Sequence, residues 1–314
     1  DPIGEGSMPF TGSFDAKGYT ISNLTIDRPS TDHVGLFASL GDDGTVTDIS
    51  LTDVDVTGYQ WVGGIVGENH GQVTDANGTG AVSGYYAVGG LVGENHGQVT
   101  ASSAAGPVSG QMTVGGLVGK NFGQVTASSA KGSVTGAFHR IGGLVGENLD
   151  HVTDSYATGT VTGNERVGGL VGDNQDTVTA SYATGSVTGS ADVGGLVGYS
   201  AFMVTEAYAT GPVTGSDTVG GLVGKNFGQV TEAYATGHVS GTATDGGGLV
   251  GENRHHVIDA YWDTETTGQS SSDGGTGLTT AEMKGDPAKT NMDFDFTSTW
   301  DVLTGSQVSY PYLR

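Results

Sequence analysis

The stretch Val88-Gly89-Gly90-Leu91-Val92-Gly93-Glu94-Asn95 returns, lightly edited, along most of the chain. Centred on its aliphatic residue, it occupies Ile65, Leu91, Leu117, Leu144, Leu170, Leu196, Leu222 and Leu249, at steps of 26 or 27 residues. A fixed period between about 20 and 50 residues is the signature of a solenoid or an array. Stacked repeats share one continuous core, so 314 residues need no internal domain boundary.

Each period holds three short apolar pieces separated by turn residues. In residues 167–192 these are Val167 to Val171, Val178 to Ala183, and Val187-Thr188, with corners expected at Gly172-Asp173-Asn174, Thr184-Gly185 and Gly189-Ser190. Helix is excluded, because apolar residues do not recur at i, i+3, i+4 and i+7 and glycine interrupts every window. Three strands and three turns per period give an all-β, three-sided parallel β-helix, a β-solenoid with about 26 residues per coil. The crossover rule makes a right-handed coil the expectation.

Residues 1–57 read as irregular N-terminal coils, with Phe10, Phe14, Tyr19, Ile21, Leu24 and Ile26 alternating with polar residues. Val34-Gly35-Leu36-Phe37 is a degenerate first copy of the motif. The repeat array occupies 58–266. Residues 267–278 are Ser/Gly-rich and read as loop, and 267–314 as a whole reads as a C-terminal loop and capping segment. Thr279-Thr280-Ala281-Glu282 has the form of a capping box, opening a short helix that stops near Gly285 and Pro287. Phe294, Phe296, Trp300, Val302, Leu303, Tyr310 and Tyr312 supply apolar cover for the raw end of the solenoid.

In a stack, equivalent positions become columns, and each column needs a chemistry that tolerates itself. Two valine columns, one from Val73 to Val257 and one from Val82 to Val239, fill the core. The paired glycines before each leucine allow tight turning or close approach of sheets. Asn69, Asn95, Asn121, Asn148, Asn174, Asn226 and Asn253 form a structural asparagine ladder, broken once by Ser200. Glu68, Glu94, Lys120, Glu147, Asp173, Tyr199, Lys225 and Glu252 form an outward column in which interspersed lysines relieve like-charge repulsion.

Tyr156, Tyr182, Tyr208, Tyr234 and Tyr261 form an aromatic column confined to the later coils. Such a strip suits sugar rings or a partner protein, and equally stabilises a sheet unaided. His70 and His96 share a column with Phe122 and Phe227 and read as turn packing rather than a metal pair. Asp42-Asp43 and Ser272-Asp273-Gly274-Gly275 could hold calcium, although the calcium-binding glycine-rich nonapeptide of other solenoids is absent. No other cofactor is expected. Catalysis finds little footing. The arginines Arg28, Arg140, Arg166, Arg254 and Arg314 read as standing at scattered phases, and no nucleophile elbow or phosphate loop occurs.

Composition narrows the partners. With 34 acidic and 11 basic residues the net charge is -23, which argues against nucleic acid and anionic membranes. No apolar run reaches the roughly 18 residues of a membrane span, so no direct insertion is expected. The chain opens at Asp1-Pro2 and reads as a mature or excised piece of something longer.

The motif Gly-Gly-Leu-Val-Gly-x-Asn, followed by Val-Thr-x-Ser-Tyr-Ala-Thr-Gly and Val-Thr-Gly, resembles the GLUG repeat over about residues 60–266. That repeat occurs in large exported proteins, including haemagglutinin-like adhesins and some bacterial immunoglobulin A peptidases. The flanks Pro9 to Asp15 and Tyr261 to Thr266 resemble those of the same family. The resemblance implies a non-catalytic part of a cell-surface or secreted protein, and the His-Glu-x-x-His motif of the peptidase members is absent here. The expectation is an extracellular structural or adhesive β-solenoid whose partners are other subunits or a cell-surface protein or glycan. It would also suit a head-to-tail filament subunit. The alternative is a carbohydrate-binding or carbohydrate-cleaving β-helix.

Overall fold

The computed structural model describes residues 1–6, 8–241 and 246–314. Among the described residues, three parallel sheets of eight, nine and 24 strands form the walls of a β-solenoid. Every coil-to-coil pairing is parallel and steps by one repeat, as in Val92↔Val118, Val99↔Val125 and Val108↔Val134. The nine-stranded wall runs without interruption from Phe37–Leu40 to Val250–Asn253, so nine coils stack in register.

The motif itself is divided between two walls, which corrects the single strand read over Val167 to Val171. Glu165–Gly168 lies in the eight-stranded wall and Val171–Asn174 in the nine-stranded one. The corner therefore falls at Gly169-Leu170, and Gly172-Asp173-Asn174 is strand rather than corner. Steric contact explains the glycines. A Cβ on Gly89 would lie 2.0 Å from the Val92 carbonyl oxygen, and one on Gly90 would lie 2.3 Å from the Gly116 carbonyl oxygen. Only glycine lets the two walls meet this closely.

Left-handed backbone falls elsewhere, on residues of mixed type. One column is Trp61, Ala87, Thr113, Arg140, Arg166, Asp192 and Thr218; another includes Asp75, Ala101, Ala127, Asp154, Ala180, Glu206, Glu232 and Asp259. Each such residue costs about 1 kcal/mol. In the second column the bend leaves the next N–H without a ladder carbonyl. Buried serines accept it: the N–H of Ala76, Ser102, Ser128 and Ser155 donates to the hydroxyl of Ser102, Ser128, Ser155 and Ser181 respectively, at 3.1–3.2 Å.

The core is a set of aliphatic columns. All eight central residues from Ile65 to Leu249 are fully buried, as are the valines from Val73 to Val230, while Val257 is only half-buried at the end. Removing this much apolar surface from water, at roughly 25 cal/mol per Å², is the main stabilising contribution.

At the N-terminal end, Ser13–Asp15, Thr20–Ser22 and Thr25–Asp27 each pair with the following coil. The C-terminal end is closed differently from the sequence expectation. The Ser/Gly-rich segment covers the last coil: Thr276–Leu278 pairs with Val257–Asp263, and Ser272 Oγ accepts from the N–H of Val250 at 2.9 Å and donates to its carbonyl at 3.1 Å. The aromatic segment instead folds back along the side of the tube. The capping-box bonds of Thr279 and Glu282 form at 2.8 Å, but they close a turn. The helical turn is Ala288–Asn291, after Pro287 rather than before it. Among the described residues no helix is long and apolar enough to cross a membrane.

Candidate functional site

Three columns carry the chemistry. The asparagine ladder lies inside the corner after the nine-stranded wall. Asn69 Nδ2 donates to Asn95 Oδ1 at 2.7 Å, Asn95 to Asn121 at 2.8 Å, Asn121 to Asn148 and Asn148 to Asn174 at 2.9 Å, and Asn226 to Asn253 at 2.8 Å. The second amide hydrogen goes to a carbonyl two residues on, as at Gly123 and Gly228. At the break, Asn174 donates to Ser200 Oγ at 3.3 Å and Ser200 spends its hydroxyl on Phe202. Asn226 therefore begins a second ladder, and like Asn69 at the start of the first it accepts the N–H two residues on. All of these amides except the half-buried Asn253 are buried, so the ladder contributes to folding and is closed to ligands.

The tyrosine column stacks ring on ring. Tyr156–Tyr182, Tyr182–Tyr208 and Tyr208–Tyr234 have centroids 5.0, 4.8 and 5.1 Å apart, with planes within 7° of parallel. The faces a sugar ring would stack on are thus occupied by neighbouring tyrosines. The strip of five tyrosines is also partly covered. Tyr234 is 1% exposed and Tyr261 6%, beneath Met283, Met292, Phe294, Trp300 and Val302. Trp300 lies 5.9 Å from the Tyr234 ring and 6.2 Å from that of Tyr208, and Tyr234 donates its hydroxyl proton to the Pro311 carbonyl at 2.5 Å. Tyr156 and Tyr182 remain half-exposed, beside a groove lined by Asp154, Glu206, Leu313 and Arg314.

Burial, reinforced by Tyr208 and Tyr310, pushes the Tyr234 hydroxyl well above the ordinary range. Burial and a 2.6 Å hydrogen bond to Asp263 push Tyr310 up to about 12. Asp263 ties the cover to the tube. Burial opposes its ionisation, but donors from Thr280, Tyr310, Thr266 and Glu265 outweigh that and hold its carboxyl below the usual value.

The charged column is half-covered rather than outward. Asp173 is 1% exposed beneath Arg140 and Arg166, and Glu147 is 3.5 Å from Lys120 and 3.6 Å from Arg140. Glu252 is held between Lys225 at 2.8 Å and Arg254 at 2.7 Å, and Arg166 lies over the Tyr199 ring. Arg140 and Arg166, read as out of phase, are one repeat apart in the same column, since His139 pairs with Glu165 and Ile141 with Val167. The spacing of 26 was present in the sequence. The buried serine ladder also went unread, although Ser102, Ser128, Ser155 and Ser181 keep the period.

Beside the first glutamates of the charged column stand imidazoles. His70 stacks on His96 at 4.5 Å and His96 on Phe122 at 4.7 Å. Of the calcium candidates, Ser272 is committed to Val250, and Asp273 accepts the Asn253 N–H at 2.6 Å, so this pair closes the coil end.

The family described as "The GLUG motif" matches residues 110–135, 139–162 and 163–188. Three copies of the GLUG motif thus lie within residues 110–188. Halomucin of Haloquadratum walsbyi is 43% identical over 74 residues, spanning 24% of this chain and 1% of halomucin. A protein of Evansella cellulosilytica named "Putative Gly-rich membrane protein" is 38% identical over 80 residues, spanning 24% of this chain and 9% of that protein. The matched segment thus corresponds to a small fraction of either relative. A crystal structure described as a "putative immunoglobulin A1 protease" from Bacteroides ovatus aligns over 99% of this chain and 79% of its own. Its TM-score is 0.37 and its sequence identity 15%.

Proposed function

We propose that this GLUG solenoid is a non-catalytic, acidic, stiff spacer within an extracellular or cell-surface protein, presenting its walls to a partner. The observation that carries the reading is the unbroken register of nine coils, in which polar and aromatic columns spend their bonding capacity on their own neighbours. A rod built this way transmits length and stiffness. Similarity to halomucin and to a protein named as a membrane protein supports placement at a surface. The net charge of -23 keeps such rods apart and soluble.

One observation favours carbohydrate binding as a second reading: the groove that puts Tyr156 and Tyr182 beside Asp154, Glu206 and Arg314. Head-to-tail growth would require displacing the segment that pairs with Val257–Asp263. Small-angle scattering over a concentration series, with a glycan array, tests all three. A spacer gives a monomeric rod of constant length and no glycan above background. Binding lost in Tyr156→Ala and Tyr182→Ala would establish the carbohydrate reading, and length growing with concentration the filament.

A further inference from the structure

Along the charged column, each carboxylate from Glu147 onward lies against lysine or arginine. Glu147 has Lys120 and Arg140, Asp173 has Arg140 and Arg166, and Glu252 has Lys225 and Arg254. Glu68 and Glu94 are paired one coil apart in the same column, where like charges repel. Among the described residues their side-chain partners are imidazoles and an indole. Glu68 Oε1 is 3.1 Å from His70 Nε2, and Glu68 Oε2 is 3.3 Å from His33 Nε2. Glu94 Oε1 is 2.8 Å from His96 Nε2, and Glu94 Oε2 accepts from Trp61 Nε1 at 2.8 Å. Lys120 follows Glu94 in the register, but its ion pair goes to Glu147, so the first two carboxylates of the column rest on imidazoles and an indole instead.

We propose that Glu68, His70 and His96, flanked by Glu94 and His33, bind one divalent transition-metal ion of the zinc and nickel class. The ion would supply the cation that lysine and arginine supply further along. Two imidazole nitrogens and a carboxylate are a donor set for ions of borderline softness, whereas calcium takes oxygen ligands. The ligand atoms of Glu68, His70 and His96 already lie within 4.8 Å of one another. Tetrahedral ligation at 2.0–2.1 Å brings donors to about 3.3 Å apart, so the cluster closes by about 1.5 Å. His70 is the ring placed to turn. His96 is held between His70 and Phe122, while among the described residues His70 is stacked on His96 alone. Because the ligands come from adjacent coils, the bound ion is a staple across the ladder. This site is independent of the spacer reading and stands whether or not that reading does.

The test is isothermal titration of the full chain with zinc chloride, alongside His70→Ala, His96→Ala and the control His255→Ala. His255 is the fit control because it sits beside another histidine and near Arg254. One zinc per chain is expected, weakened at least about tenfold by either ligand substitution and unchanged by the control. The thermal midpoint of the parent, but not of His70→Ala, should rise with added zinc. The absence of saturable binding in the parent, or equal affinity in His70→Ala with loss in His255→Ala, would overturn the assignment. Far-ultraviolet circular dichroism of each variant shows that it remains folded.

Discussion

The repeat array and the C-terminal cover are held by opposite kinds of contact. In the array a residue meets its own kind, Asn121 against Asn148 or Tyr182 against Tyr208. In the cover each contact is unique: Tyr310 to Asp263, Tyr234 to Pro311, Asp295 N–H to Glu232. Repetition makes every coil depend on both neighbours, so damage in the array should spread. The unique contacts confine damage to the cover. Stability in such a stack is a sum of coil and interface contributions, which makes that difference measurable.

The largest effect should come from making two coils sterically incompatible. A Cβ at residue 115 would stand 1.9 Å from the Val118 carbonyl oxygen of its own coil and 2.7 Å from the Gly146 backbone nitrogen of the next, backbone that cannot yield without opening the corner and parting the coils. Gly115→Ala is expected to cost at least about 3 kcal/mol and to lower the urea midpoint of the whole array. A variant that unfolds at the parental midpoint would show that the coils are not coupled.

Next is Asn121→Ala, within the buried ladder. It removes the bond from Asn95 at 2.8 Å, the bond to Asn148 at 2.9 Å and the tie to the Gly123 carbonyl at 2.6 Å. Leaving buried polar groups without partners costs about 1–3 kcal/mol each. A loss of about 2–4 kcal/mol by urea denaturation is expected.

How much of this was legible differs between the two regions. The columns could be read because period and chemistry coincide: seven asparagines in phase mean a ladder wherever the walls bend. The corner could not, because Val88, Leu91 and Val92 all face the core and hide the break between walls. Nor could the left-handed columns, since residues as different as Trp61, Ala87 and Arg140 occupy one of them. The cover was misplaced because its aromatics were assigned to the open end. One signal would have located them: tyrosine enters the column only from Tyr156 onward, and the coils from Tyr208 are those the cover shields.

Trp300→Ala tests the confinement of damage. Trp300 is fully buried against Tyr208, Tyr234 and Phe294, and its loss costs about 3–5 kcal/mol within the cover. The array should keep its far-ultraviolet spectrum and its urea midpoint, while near-ultraviolet aromatic signal is lost. Absorbance of phenolate supplies a second reading. Tyr234 and Tyr310 have raised values in the folded state, so the stability they contribute is complete below their ordinary value of about 10 and is lost as pH rises above it. In the parent these two, together with Tyr208, which burial also raises, should ionise last, and Trp300→Ala should bring them in with the exposed tyrosines. Unchanged late ionisation in the variant would mean that the cover is held without Trp300.

The smallest expected effect is a gain, and it probes the array at its one irregular rung. Ser200 is fully buried, is reached by Asn174 at 3.3 Å, and passes no proton to Asn226 because its hydroxyl serves Phe202. Asparagine there would offer Oδ1 to Asn174, one amide hydrogen to Asn226 and the other to the Phe202 carbonyl, joining two ladders into one. Against this, the Asn226 oxygen already accepts the Gly228 N–H at 3.1 Å, so the new bond is added to a carbonyl oxygen with one acceptor site free. The net of one added buried bond is about 1 kcal/mol of stabilisation for Ser200→Asn, read as a higher urea midpoint at unchanged slope. A lower midpoint would mean that the corner at this coil is too tight for the amide. The serine would then be fixed by volume, and the ladder would owe its period to packing more than to hydrogen bonding.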